Sequence, residues 1–242
     1  MSAIVVTDAI LFAGEFDLSG HLNSVNADVE FAEKDQTVFG DGASNFLAGL
    51  QSWSVAYEGF LDYAADASDE AVAALNGTSG IPLTISATRA DGDVAYLGRG
   101  FKPGLTRSTQ VGEIAKLTGN FTASSGEGLV RGELLVPKAA KTATGTGTGQ
   151  QLGAVAAGES VYAALHVFSA SGTSPTLNVT VESDDNSGFT SATTRLTFTQ
   201  ATAAGSQWQS LAGAITDTYW RVRFTIGGTS PSFTIAVAVG VA

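Results

Sequence analysis

The sequence predicts a mainly β protein: a strand-rich sheet or sandwich with one flanking helix, followed by a small antiparallel β-sandwich. Three observations predict it. Apolar residues alternate with polar ones at a period of two in several runs, as half-buried strands require. Twenty-nine glycines against five prolines supply many turns without a proline-rich spacer. Convincing helix signals occur at one segment, Ser68 to Leu75.

Taken in order, Ala3 to Phe12 is an apolar, β-branched run that reads as a first strand or strand-forming arm. Phe12 to Gly42 organises the first unit. Within it Val29 and Phe31 alternate with Asp28 and Glu30, which predicts a strand with an apolar face toward the core and a carboxylate face away from it. It closes on Phe39-Gly40-Asp41-Gly42, a turn or the start of a long excursion. Ala43 to Gln51 reads as a short helical turn or a loop. Trp53, Val55 and Tyr57 then mark a strand running to about Tyr63. In the helix, Ser68 is expected as N-cap, Asp69 and Glu70 complement the dipole, and Gly77 supplies the stop. Val72 and Leu75 form its apolar edge. Strands over Pro82–Thr88, Val94–Gly98, Ile114–Ala123 and Leu129–Val136 complete a unit spanning 1–138.

Residues 139–151 contain Thr-Ala-Thr-Gly-Thr-Gly-Thr-Gly and read as a flexible linker. Beyond them, 152–242 reads as strands alone: Ser160–Phe168, Thr176–Ser183, Arg195–Thr199, Tyr219–Ile226 and Phe233–Val241. Ser-Gly-Thr-Ser-Pro-Thr from Ser171 recurs as Gly-Gly-Thr-Ser-Pro-Ser from Gly227. Two similar hairpins are expected there, in a small antiparallel sandwich.

Charge divides the chain at the same place. Residues 1–138 carry 8 basic and 18 acidic side chains, net −10, and 139–242 carry 4 and 5, net −1, which together make the −11 of the whole. An acidic unit without a basic patch is the opposite of a nucleic-acid binder, because it displaces no counterions from phosphates. Charged residues are only 14% of the chain, so the surface is rich in Ser, Thr, Gly, Asn and Gln, which suits faces buried in an assembly. With no cysteine, thiolate and disulfide chemistry are excluded. The first residues lack a basic segment, so no signal peptide is expected, and no apolar run reaches the roughly 18 residues of a membrane helix.

Little else in the chain carries chemistry. His21 sits at a glycine turn and His166 within an alternating strand, and an ordinary satisfied or exposed imidazole is expected for each. No His-x-x-x-His, nucleophile elbow or phosphate-binding Gly-x-x-x-x-Gly-Lys is present. Asp184-Asp185-Asn186-Ser187-Gly188 has calcium-type oxygens without EF-hand spacing, so a polar turn is expected. A non-enzymatic protein with no cofactor and no metal follows.

Leu18-Ser-Gly through Asn23-Ser-Val and on to Asp35-Gln-Thr-Val-Phe-Gly-Asp resembles the opening of major tail tube subunits of long-tailed, siphovirus-type bacteriophages. Trp53 to Asp62 followed by the Ser68–Leu75 helix fits the same pattern. Leu177-Asn-Val-Thr-Val-Glu-Ser-Asp-Asp and Tyr219-Trp-Arg-Val-Arg look like a domain often appended to such subunits. The resemblance implies a tail-tube-type sandwich or partial barrel that forms hexameric rings stacked into a tube. It implies a virion tail location after assembly in the host cytoplasm, with this chain itself, the tape measure and the tail terminator as partners. Genomic DNA would slide past an acidic lumen without specific binding. Asp28 and Glu30 are then lumen candidates, and Glu33, Asp35, Phe39, Asp41 and Phe46 lie on the loop expected to reach the next ring. The second unit would stand outside the tube and leave little space for a sheath. A rival reading makes that unit a glycan-binding adhesin or virion decoration module, with Trp208, Tyr219 and Trp220 stacking on a host-surface sugar.

Overall fold

The computed structural model describes residues 6–40, 42–64 and 67–242. Expectations for Ala3–Val5 and Asp41 fall outside them. The strands are β1 (Ile10–Ala13), β2 (Phe16–Asp17), β3 (Leu22–Asp35), β4 (Phe46–Phe60), β5 (Ile81–Ser86), β6 (Val94–Ser108), β7 (Lys116–Ala123) and β8 (Val130–Lys141). They continue as β9 (Gly145–Thr146), β10 (Ser160–Asp184), β11 (Thr193–Thr197), β12 (Gly205–Ala212) and β13 (Tyr219–Val241). Among the described residues α1 (Ser68–Leu75) is the single α-helix. The mainly β class with one flanking helix is therefore observed.

The layers follow from β1 and β5, which are buried on both faces. Leu11, Ala13, Ile81, Leu83 and Ile85 face one core, shared with Trp53, Val55 and Tyr57 of β4, Leu117 and Phe121 of β7, and Ala71, Val72 and Leu75 of α1. Ile10 and Phe12 face a second core. Alternation along one strand thus supplies two layers at once. The helix begins one residue earlier than expected: Ala67 is the N-cap. Ser68 is buried instead, where its hydroxyl accepts from the Asp62 N–H at 3.0 Å and donates to the Phe60 carbonyl at 2.9 Å, tying the helix to the end of β4.

The second core fills the inside of a rolled sheet ordered β2-β1-β5-β6-β8-β13-β10, with β12 on the first half of β10 and β11 on its second half. Ala95, Leu97, Val130 and Leu134 line it from β6 and β8, and Ala164, Ala236 and Ala238 from β10 and β13. Three alanines on the facing strands let the roll close tightly. His166 fastens it: Nδ1 donates to the Gly14 carbonyl at 2.7 Å, so Nε2 accepts from the Thr84 hydroxyl at 2.9 Å. Burial holds this imidazole neutral, with its pKa lowered to about 4.

A third core, beyond the roll, is the second sandwich. Strands β10 and β13 pair antiparallel along almost their whole length, Val161 opposite Val241 at one end and Asp184 opposite Tyr219 at the other. Both bend midway, so Val161–Val167 and Leu177–Val181 of one ribbon, with Trp220–Phe224 and Phe233–Val239 of the other, close on a single cluster. The repeated Gly-Thr-Ser-Pro segments form this bend. They are not two hairpins, as the sequence suggested, but one mutual crossing, with Ser171 opposite Ser232, Thr173 opposite Thr229 and Thr176 opposite Gly227. Ser174 and Ser230 share φ 49, and Gly172 and Gly228 have φ 108 and 113. A Cβ on Gly172 would sit 2.7 Å from the Ser230 carbonyl oxygen, and one on Gly228 2.8 Å from that of Ser174. Each glycine makes room for the other copy's backbone.

The Thr/Gly segment expected as a flexible linker is also paired. β8 runs to Lys141, β9 lies against Arg223 and Phe224, and Gln150 exchanges both backbone hydrogen bonds with Trp220 at 2.8 Å. The edge of β13 has unsatisfied backbone groups there, and small residues let the chain follow it.

Gly172→Ala and Gly228→Ala should each cost about 2–4 kcal/mol, from left-handed strain plus backbone collision, and by similar amounts. Urea unfolding of the two variants checks this. Because the folded pKa of His166 lies below its unfolded value near 6.5, the unfolded chain binds the extra proton first as pH falls. Stability should therefore be full above pH 6.5 and decline toward pH 4, by roughly 3 kcal/mol more in wild type than in His166→Gln. Thermal melts across that range measure the difference.

Candidate assembly surface

β3, β4, β7 and the distal half of β6 form a four-stranded antiparallel sheet over the first core. Its inner face is the Trp53, Val55, Tyr57, Leu117 and Phe121 row. Its outer face follows from the register. Asp28 stands opposite Ser54 and Glu30 opposite Ser52, and Ser54, Ala56 and Glu58 stand opposite Thr122, Asn120 and Thr118. That face is almost all hydroxyl, amide and carboxylate. Lys116 on that face is paired with Glu58 at 2.8 Å, and Lys34 lies on the same side farther along β3. Among the described residues β3 pairs with β4 alone, and Gly104–Ser108 of β6 pairs with β7 alone. The sheet therefore ends in an open edge on each side.

Beyond the core the β3–β4 hairpin continues as an arm. Val29 and Phe31 lie on the same side as the core row but are 44% and 57% exposed, which corrects the expectation that they meet the core. The layer of β1, β5 and α1 covers β4 only from Trp53 onward, so the arm has nothing beneath it. The stretch Ala43–Gln51, read as a helical turn or loop, is mostly strand, because Phe46, Leu47 and Ala48 pair with Asp35, Lys34 and Glu33. Cross-strand pairing overrode an ambiguous local pattern. Of the expected inter-ring loop, Glu33, Asp35 and Phe46 thus lie on strands, and among the described residues the loop proper is confined to 36–40 and 42–45. There Asp35 accepts from the Thr37 N–H at 2.8 Å, which lowers its pKa, and the Thr37 hydroxyl accepts from Asn45 N–H at 2.9 Å. Phe39 projects fully into solvent.

Lys102 is a feature the sequence reading missed. Its side chain follows the core-facing Gly98 and Gly100 on the inward side of β6, just before the register shift that ends at Gly104, and it is completely buried. The ammonium donates to the Gly104 carbonyl and lies 5.4 and 5.6 Å from the ring centres of Tyr57 and Phe121. Burial lowers its pKa to about 8 and raises that of Tyr57, whose hydroxyl has no partner among the described residues. The Lys-Pro-Gly run at 102–104 was the available signal.

The stacking candidates of the second sandwich do not form one platform. Trp220 is wholly buried in the third core, donating to the Gly153 carbonyl at 2.8 Å, so it cannot meet a sugar. Trp208 is half-buried against Tyr162 at 5.8 Å, and Tyr219 is half-buried at the far end of β13. Asp184 is saturated by Asn186 and Ser191, as a polar turn requires. No cluster of three or more metal-ligating side chains occurs among the described residues.

No family model and no curated protein matches the chain. Among solved structures, a chain from the tail of an empty gene transfer agent particle with C6 symmetry is 16% identical, with a TM-score of 0.42, covering 52% of this chain and 97% of that one. A chain from the structure of an extracellular contractile injection system's sheath/tube terminator in its extended state is 18% identical, with a TM-score of 0.42 and coverage of 54% and 97%. The Dit protein of phage SPP1 is 13% identical over 97% of this chain and 99% of its own, with a TM-score of 0.36. Likeness at this level assigns no shared function.

Lys102 yields a pH signature. Its folded pKa lies below the unfolded value of 10.5, so raising pH from about 8 toward 10.5 should increase stability. Lys102→Met should abolish that increase and stabilise the fold at pH 7 by on the order of 1–2 kcal/mol, as an apolar replacement of a buried charge does. Denaturant curves at pH 7 and 9.5 test both.

Proposed function

We propose that this chain is a structural, non-enzymatic subunit of a phage tail tube. The observation that carries the reading is the four-stranded sheet with two open edges and a polar, acidic outer face. An edge-to-edge contact between β3 of one copy and β6 of the next is heterologous, and it closes a ring when the rotation between copies divides a full turn. The resemblance in sequence favours six copies. The face carrying Asp28 and Glu30 then lines the channel, where carboxylates repel phosphates and hydroxyls and amides offer no cationic grip on DNA.

The second sandwich fits the exterior. The polar face and the third core are separated by the first core, the β1–β5 layer and the rolled sheet. On this reading 1–138 is the tube unit and 152–242 the outer one, joined by a paired segment, in a virion tail with the tape measure and tail terminator as partners. The glycan-binding alternative is weakened by the burial of Trp220.

Electron microscopy of concentrated protein or of the virion should show rings and tubes; protein that stays monomeric under every condition defeats the proposal. Asp28→Lys with Glu30→Lys should leave tubes intact while slowing DNA ejection about tenfold or more at low salt, with partial recovery as salt screens the new charges. An unchanged ejection rate at every salt concentration would place those carboxylates away from the channel.

A further inference from the structure

Strand β4 ends in an uncovered apolar cluster at each extremity. At its start is the arm, with Phe39, Phe46 and Leu50. At its finish, the β6–β7 turn carries Val111 and Ile114, and the chain leaving β4 carries Tyr63. The Leu61 N–H donates to the Ala115 carbonyl at 3.0 Å, holding that chain against the turn. All six side chains are more than half exposed, and Phe39 and Val111 entirely so. β4 is fifteen residues long, so its two ends lie roughly 45–50 Å apart.

The exposed side chains at each end sum to on the order of 300–500 Å² of apolar surface. Two joined clusters bury on the order of 600–1,000 Å², short of a stable interface for one pair but ample when repeated around a closed ring. Contact between like ends would cover one cluster and leave the other bare in every copy. Contact between unlike ends covers both, and it propagates along the strand axis instead of closing.

We propose that the β6–β7 turn, with Val111, Ile114 and Tyr63, is the receiving surface for the β3–β4 arm of a second copy in the next layer. This rests on the tube reading and names the surface that the arm meets.

Two double variants test it: Phe39→Asp with Leu50→Asp at the arm, and Val111→Asp with Ile114→Asp at the turn. All four positions are exposed, so melting curves should match wild type. Each variant alone should give rings that do not stack, with axial length reduced at least tenfold by electron microscopy. Mixed together, they should give stacks of two layers and no more, because only the intact arm of one and the intact turn of the other can join. The inference falls if either variant stacks to wild-type length, or if the turn variant alone forms two-layer stacks through its arms. It falls also if the mixture fails to pair. Wild type that forms no ring or tube at all defeats the tube reading itself, whereas normal tubes from both variants defeat the receiving surface alone.

Discussion

The architecture depends on burying β1 and β5 on both faces. A short strand such as Ile81-Pro-Leu-Thr-Ile-Ser has no solvent side here, so a layer must cover each surface. The β4–β7 sheet and α1 cover one, and the returning strands β10 and β13 cover the other. Removing either cover exposes leucine and isoleucine to water, at about 25 cal/mol for each Å². The two halves of the chain are therefore bound by shared core as well as by the β8–β13 ladder. Thr84 shows what the second cover demands: its hydroxyl points into that core, and His166 satisfies it. A buried polar pair at a layer junction is stable only when both members are matched, and it fixes how β10 sits over β5.

The bend in β10 and β13 turns one ribbon into a sandwich. Antiparallel strands of more than twenty residues would otherwise twist away from any compact core. The paired Gly-Thr-Ser-Pro segments break the ladder at the same height on both strands, which lets the two halves fold onto one another. Reciprocal close approach requires the change in both strands at once, which accounts for the repetition of the motif.

Local signals in the sequence were read well where they were sufficient. The helix emerged within a residue of its limits because Asp69, Glu70 and Gly77 act on it directly. The Trp53–Val55–Tyr57 row was legible because one buried face imposes a strict period of two. Failures came where the partner is distant in sequence. Nothing near Gly172 says that its neighbour is Pro231, and nothing in the Thr/Gly run says that β13 has an edge to fill. Phe46-Leu47-Ala-Gly-Leu50 has helical spacing, yet the strand formed by Phe31–Asp35 claims it. In the candidate site, the acidic face was legible by alternation. The burial of Lys102 was not, because a lysine among glycines reads as a solvent-facing residue and is rarely fully buried.

The arm and the open edges resolve a tension in composition. A chain with 14% charged residues and seven large apolar side chains exposed between Val29 and Leu50 is poorly protected against association. Such a surface is a liability for a monomer and a requirement for a subunit whose contacts must form in a fixed direction. Backbone edges can define lateral neighbours because hydrogen bonding is directional, whereas apolar ends are permissive in angle and suit stacking with a twist. In the proposed assembly the polar face is the surface that lines the channel. Its serines, threonines and asparagines keep that face wetted without charge pairing, and its few carboxylates set the sign of the field that passing phosphates meet.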